Sequence, residues 1–183
     1  MRRSSDETKA VILAAARERF GAVGFQGATI RAIAADAGID PAMVMRYYGS
    51  KDKLFAAAAE FDLRFPDLAA ADPVQVGRSL VRHFLERWEG DEALVILLRS
   101  SATNGEAAQR MQEIFGSQIE PLVASFVPPS DIGVRAGLIA TQILGMALCR
   151  FVLRLPPVVE MSRDEIVEWL GPTIQRYLGL PEG

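Results

Sequence analysis

Three side chains close together in the sequence carry the donors that a polyanion needs. Arg46 and Tyr47 are adjacent, and Lys51 follows the corner Gly49-Ser50. A guanidinium can present two parallel N–H donors to a guanine edge. A phenol and an ammonium can each donate to a phosphate oxygen. Met45 can lie against a thymine methyl, and Pro41 and Ala42 are small enough to let a backbone approach a base edge. Thr29 and Arg31 add a hydroxyl and a second guanidinium a short way upstream. None of this is bond-making chemistry. The chain has one His83 and one Cys149, too few for a His/Cys zinc site or an intrachain disulfide. It has no nucleophile–base motif and no phosphate-binding glycine loop. These residue types point to non-covalent recognition rather than to an enzyme, and they call for no cofactor and no metal.

Such donors need a frame. "SSDETKAVILAAARERF" opens with Ser4 three residues before Glu7, the spacing of a capping box, and Ile12, Ala16 and Phe20 share one helical face. Gly21 and Gly24 end that helix. A second helix follows Thr29 as cap, turns Ile30, Ile33 and Ala34 inward, and stops at Gly38, which suits a left-handed C-terminal position. Asp40 then caps a third helix with Pro41 at its first position, where the missing N–H costs nothing. This third helix is too short to be stable alone. Ile39, Val44 and Tyr48 can lock one side of it onto the first two helices. That leaves Pro41, Ala42, Met45 and Arg46 on a free side, in a helix-turn-helix arrangement fitted to a major groove. Ser50 caps a fourth helix carrying Leu54, Phe55, Ala58 and Phe61.

Charge supports this division. Residues 1–55 hold nine Lys/Arg against six Asp/Glu, a net of +3, so a chain of net charge −3 carries −6 in the remainder. A positive end on an acidic body favours a polyanionic partner at that end.

The stretch "FGAVGFQGATIRAIAADAGIDPAMVMRYYGSKDKLF", residues 20–55, resembles the DNA-binding domain of the TetR family of transcriptional regulators. Phe20, Gly24, Thr29, Ile33, Ala34, Ala37, Gly38, Ile39, Val44, Tyr48, Lys51 and Leu54 carry the resemblance. It implies a homodimer with an N-terminal DNA-reading domain and a C-terminal helical domain that binds a small-molecule effector. It also implies a repressor that leaves double-stranded operator DNA when the effector binds. The family's base-facing positions fall on Arg31, Pro41, Ala42, Met45 and Arg46. Its phosphate-facing positions fall on Thr29, Tyr47 and Lys51. Met45 stands where the family usually has Tyr, which removes one hydroxyl donor to the backbone. Tyr48 stands where Phe is common, and its hydroxyl needs a partner if buried.

The rest of the chain also reads as helical, so the fold class is all-α. "RFPDLAAADP", residues 64–73, interrupts the pattern and marks a boundary. The expected organisation is a helix-turn-helix domain over 1–50 with a linking helix to about 64, and an effector-binding and dimerisation domain over 65–183. In the latter, Val76, Leu80, Phe84 and Trp88 recur every four residues. Thr103 three residues before Glu106, and Ser162 three before Glu165, are expected caps. A long apolar helix is expected over 131–155. Its small residues Gly137, Ala140, Gly145 and Ala147 would let a partner helix approach, so it pairs with the last helix in a bundle across a two-fold axis. The last helix carries Ile166, Trp169, Leu170 and Ile174. Candidate effector contacts are His83, Phe84, Trp88, Met111, Phe115, Gln142 and Met146. Cys149 reads as a small core residue.

The start of the chain lacks the apolar run of a signal peptide, and the uncharged run 136–149 is shorter than a membrane span. With little cysteine, the expectation is a cytoplasmic protein without a membrane partner. The alternatives are a helical small-molecule carrier or an enzyme whose N-terminal bundle is only structural.

Overall fold

The computed structural model describes residues 4–58, 62–66, 68, 71–90 and 92–181. Phe61, expected on the fourth helix, lies outside the described residues, as do Arg2 and Arg3. Among those described, all regular elements are helical: α1 Ser5–Gly27, α2 Ile30–Ala37, α3 Pro41–Tyr48, α4 Lys51–Ala58, α5 Val76–Gly90, α6 Glu92–Ser101, α7 Gly105–Ile114, α8 Glu120–Ala124, α9 Ile132–Ala147, α10 Pro156–Glu160 and α11 Arg163–Tyr177. Packing groups the chain into two compact units. One comprises Met1–Phe61 with Glu92–Met111, the other Asp62–Asp91 with Gln112–Gly183. The first break, after Phe61, lies close to the linear boundary near residue 64, and residues 92–111 join the first unit as well because α6 packs on α1.

In the first unit the expected caps form. Ser4 and Glu7 make a reciprocal box at the start of α1, with Glu7 N donating to Ser4 Oγ at 3.1 Å and Ser4 N to Glu7 Oε2 at 2.8 Å. Gly24 interrupts α1 at φ 70°, a backbone state that a side chain would strain. The chain then delivers Phe25 to a ring cluster with Phe20 and Phe55 at centroid distances of 6.0 and 5.2 Å. Phe20 and Phe55, both fully buried, meet edge-on at 5.0 Å. Arg99 on α6 donates to the Gly21 carbonyl at 2.6 Å, and Ile96 packs beside Gly21, where a Cβ would have only 3.3 Å.

The second unit is organised around α5 and α11, which pass closest at Gly77 and Gly171. A Cβ on Gly77 would sit 2.3 Å from the Gly171 carbonyl oxygen and 2.7 Å from the Gln175 nitrogen. Gln175 is buried at the same crossing, with both amide hydrogens and its carbonyl oxygen engaged. Its Oε1 accepts from Gly77 N at 2.7 Å, and its Nε2 donates to the carbonyls of Pro73 and Pro181 at 2.6 and 2.8 Å. Around this crossing the apolar faces of α5 and α11 close, burying Val76, Leu80, Phe84, Ile166 and Ile174.

Three expectations are corrected. The cap of α7 is Asn104, not Thr103: Asn104 Oδ1 accepts from Ala107 N at 2.8 Å, while the Thr103 hydroxyl turns back to the Ser100 carbonyl. A side chain one residue closer to the first turn wins the cap. The long helix expected over 131–155 ends earlier, passing from α9 into a π-helical turn at Leu148–Val152. Arg150 stands in that turn and donates to the carbonyls of Val158 and Met161 at 2.7 and 2.9 Å, tying the turn to α10. Trp169, expected on an apolar helical stripe, is 80% exposed. Ile166 and Ile174 of that stripe face α5, whereas Trp169 points away.

The span Ile132–Val152 is long and apolar enough by length and composition to cross a membrane, and 22% of its apolar window is buried. It carries Arg135 and Arg150. Arg135 pairs with Asp131 and donates to the Tyr177 carbonyl at 3.1 Å, so this guanidinium is engaged within the unit.

Candidate nucleic-acid interface

α3 is held from beneath and open above. Asp40 Oδ1 caps it by accepting from Ala42 N at 2.7 Å, Gly38 makes the preceding turn at φ 63°, and Val44 is fully buried. Gly49 at φ 78° ends it, and Ser50 Oγ then accepts from Lys53 N at 3.0 Å to start α4. Pro41, Ala42, Met45 and Arg46 are all exposed, with Met45 at 43%. Thr29 and Arg31 are exposed at the start of α2, where Thr29 Oγ1 accepts from Ala32 N at 3.1 Å. Tyr47 and Lys51 are half-buried at the far end of the same surface.

Two tyrosines divide the labour at the end of α3. Tyr48 turns inward and donates its hydroxyl to the Lys9 carbonyl at 3.0 Å. That satisfies the group which sets it apart from the more usual Phe. Partial burial lifts its phenol above the ordinary range, so it remains a donor. The Tyr47 ring lies under the Lys9 ammonium, whose nitrogen is 5.9 Å from the ring centroid. The Lys51 ammonium lies 4.3 Å above the Phe25 ring, which places the cation without neutralising it.

Two groups stand out among the basic residues of this unit. Arg19 is bound by Asp36 through two hydrogen bonds of 2.7 and 2.6 Å, joining α1 to α2. The Arg19 hydrogen bond holds the Asp36 carboxyl below its ordinary range. Arg17 donates to the Ala58 carbonyl at 3.0 Å, closing the end of α4 onto α1. Lys9, Arg31, Arg46 and Lys51, by contrast, form no ion pair with any described carboxylate. The Lys9–Tyr47 and Lys51–Phe25 contacts have no local signal in the sequence, since an exposed lysine near the start of a helix is ordinary on any surface.

The candidate effector residues do not gather in one place. His83 Nε2 lies 2.7 Å from the Leu63 carbonyl, and its ring and that of Phe84 adjoin Phe65 at 5.9 and 5.7 Å. Trp88 is buried and stacks on Phe151 at 6.2 Å, with its Nε1–H meeting no acceptor among the described residues. Phe115 opens a second π-helical turn, and Met111 belongs to the first unit. Gln142 and Met146 line a groove of about 330 Å³ on α9, beside Gly145, Cys149 and Trp169. Cys149 is half-buried in that groove rather than in the core.

Comparison with known proteins supplies the remaining context. Residues 12–58 match the family model described as bacterial regulatory proteins, tetR family, and residues 75–178 match the tetracyclin repressor-like C-terminal domain. The chain is 32% identical over 157 residues to the HTH-type transcriptional regulatory protein RaaS of Mycobacterium tuberculosis, an alignment covering 82% of this chain and 68% of that one. It is 30% identical over 145 residues to the HTH-type transcriptional repressor SCO4008 of Streptomyces coelicolor, covering 71% and 74%. A third alignment, to the repressor AcnR of Corynebacterium jeikeium, is 36% identical but spans 46% of either chain. Among solved structures, a TetR-family regulator from Streptomyces coelicolor superposes with a TM-score of 0.64 at 27% identity, covering 97% of this chain and 98% of that one. A TetR-like regulator from Rhodococcus shares the fold at a TM-score of 0.73 and 23% identity, covering 97% and 99%.

Proposed function

Because the chain belongs to the TetR family of transcriptional regulators, and is therefore a DNA-binding regulator and not an enzyme, we propose that it is an effector-released repressor that binds a near-palindromic operator as a homodimer. The observation that carries the DNA-binding reading is the surface of α3. Pro41, Ala42, Met45 and Arg46 stand exposed on a helix whose other side is fixed by Val44 and Tyr48, and the cations around it have no carboxylate partner among the described residues. In this reading Arg46 reads a guanine edge with two donors, and Met45 contacts a thymine methyl. Arg31 meets a base or phosphate from the start of α2. Thr29, Tyr47 and Lys51 hold the backbone and set the register. Residues 1–50 form the reading domain, followed by α4, Lys51–Ala58, and a non-helical stretch at 62–66. Residues 65–183 form the effector-binding and dimerisation domain.

Pairing is supported by the outward face of α9 and α11. Val134 and Leu138 on α9 and Trp169 on α11 are exposed, an apolar surface that a second copy could cover. A second copy on this face would set two α3 helices against two half-sites separated by about one helical turn or a multiple. Effector binding is supported by the aromatic residues of α5, where the buried Trp88 indole offers a donor to a ligand acceptor. A ligand favouring one dimer geometry over another would shift the spacing of the reading helices and release the operator. The protein then works in the cytoplasm, where the DNA is.

The test is selection of a duplex from a random-sequence library by the wild-type protein, followed by affinity measurements with Arg46→Ala and Lys51→Ala. Arg46→Ala relaxes preference at one base position, and Lys51→Ala weakens all sequences about equally. If neither variant alters binding, the assignment to α3 is wrong.

A further inference from the structure

We propose that Lys9, on the first turns of α1, is a phosphate-contacting residue of the DNA interface, held at its edge by the two tyrosines that end α3. The inference rests on the reading of α3 given above and extends it to a helix that the helix-turn-helix pattern does not include. Two contacts fix the position. Tyr48 donates its hydroxyl to the Lys9 carbonyl at 3.0 Å, which ties the backbone of α1 to the end of the reading helix. The Lys9 ammonium then lies over the Tyr47 ring at 5.9 Å. The negative face of that ring attracts the cation while leaving its charge intact.

The local acids do not compete for it. Glu7, two residues away, spends its carboxylate on the Ser4 N–H at 2.8 Å within the capping box. No described carboxylate forms an ion pair with Lys9. The first turns of α1 are well held, because Thr8 is buried and its hydroxyl donates to the Ser4 carbonyl at 2.8 Å. The result is an exposed ammonium on a fixed backbone, beside the half-buried Tyr47 ring at the end of the reading helix. A DNA phosphate accepting from the Tyr47 hydroxyl would lie in the same neighbourhood as the Lys9 ammonium. One phosphate would then be clamped by a neutral and a cationic donor, and that clamp sets how far α1 tilts from the duplex.

The experiment measures the salt dependence of binding to the selected duplex and to a mixed-sequence duplex, by fluorescence anisotropy. Wild type is compared with Lys9→Gln, Lys9→Arg, Lys51→Gln and Arg19→Gln. Removing one phosphate-neutralising cation takes about 0.9 from the slope of log K against log salt, hence about 1.8 for two protomers. Doubling the salt would then weaken Lys9→Gln about 3.5-fold less than wild type. The same change is expected on both duplexes, since a phosphate carries no sequence. Lys9→Arg should restore the slope. Arg19→Gln removes the same charge from the same unit but from a position already bound to Asp36, so it should leave the slope near wild type. An equal fall for Arg19→Gln and Lys9→Gln would reduce Lys9 to one part of a general positive field and overturn the proposal. An unchanged slope for Lys9→Gln with a reduced one for Lys51→Gln would overturn this inference alone. No change in either lysine variant would overturn the reading of the α3 surface beneath it. Circular dichroism of Lys9→Gln should match wild type, because the contact to Tyr48 uses the backbone carbonyl.

Discussion

Replacing Gly77 by Ala tests the packing that organises the second unit. A methyl group there would meet the Gly171 carbonyl oxygen at 2.3 Å and the Gln175 nitrogen at 2.7 Å. Both are backbone atoms of α11, so neither can swing away as the end of a side chain would. The helices must part, at a cost of about 1–3 kcal/mol for overpacking. Parting also stretches the 2.7 Å bond from Gly77 N to Gln175 Oε1, and a buried pair left unmade costs a further ~1–3 kcal/mol. Ala is the better helix former by about 1 kcal/mol, which offsets part of this. The net destabilisation comes to about 3 kcal/mol, or roughly 6–12 °C in melting temperature for a chain of this size. Thermal unfolding followed by circular dichroism reads it directly. Gly133→Ala is the control: it is exposed on α9 with nothing within 4 Å of the new methyl, and it should melt at or slightly above wild type. A Gly77→Ala protein that melts with wild type would refute the reasoning, since it would mean that the crossing of α5 and α11 is not fixed by this contact.

Other outcomes follow from the same geometry. Trp169→Glu should turn a dimer into a monomer in analytical ultracentrifugation while leaving helix content unchanged, because the side chain is 80% exposed within the chain. Tyr48→Phe should lower stability by about 1 kcal/mol in chemical denaturation, because the hydroxyl's bond to the Lys9 carbonyl disappears. Asp36→Asn should destabilise the first unit near neutral pH, and the gap to wild type should close in acid. The sign follows from the carboxyl being held below its usual 3.8 by Arg19. The stabilisation is present above that value and fades as pH falls through the lowered folded value, which melting curves across an acid series would follow.

Much of this was legible because it is local. A hydroxyl or carboxylate three residues before its acceptor N–H, a proline at the first helical position and a glycine in a left-handed turn each act within one turn of helix. The boundaries of α2 and α3 follow from Thr29, Gly38, Asp40 and Pro41 for that reason, as does the exposure of Met45 and Arg46 opposite Val44. What escaped depends on partners distant in sequence. Lys9 gains its interest only from Tyr47 and Tyr48, far away in sequence but in contact with it. Gln175 has no local signal, yet it is the buried link between Pro73, Gly77 and Pro181, while Gln142, expected to contact an effector, lines an open groove. Trp169 fits the apolar stripe by spacing, and only the position of α5 decides which side of α11 is covered. The return of α6 to α1 has no local signal, because an apolar helix face does not say which neighbour it meets.

The measurement that bears most directly on the central claim is binding of the purified protein to its selected duplex across a salt series with competitor DNA present. A sequence-reading α3 predicts saturable binding to one short site that persists at physiological salt, with a steep slope that falls when Lys51 or Lys9 is neutralised. Weak binding that fades at the same rate on selected and mixed-sequence duplexes would contradict it, leaving a basic surface attracted to phosphate and no reader of sequence.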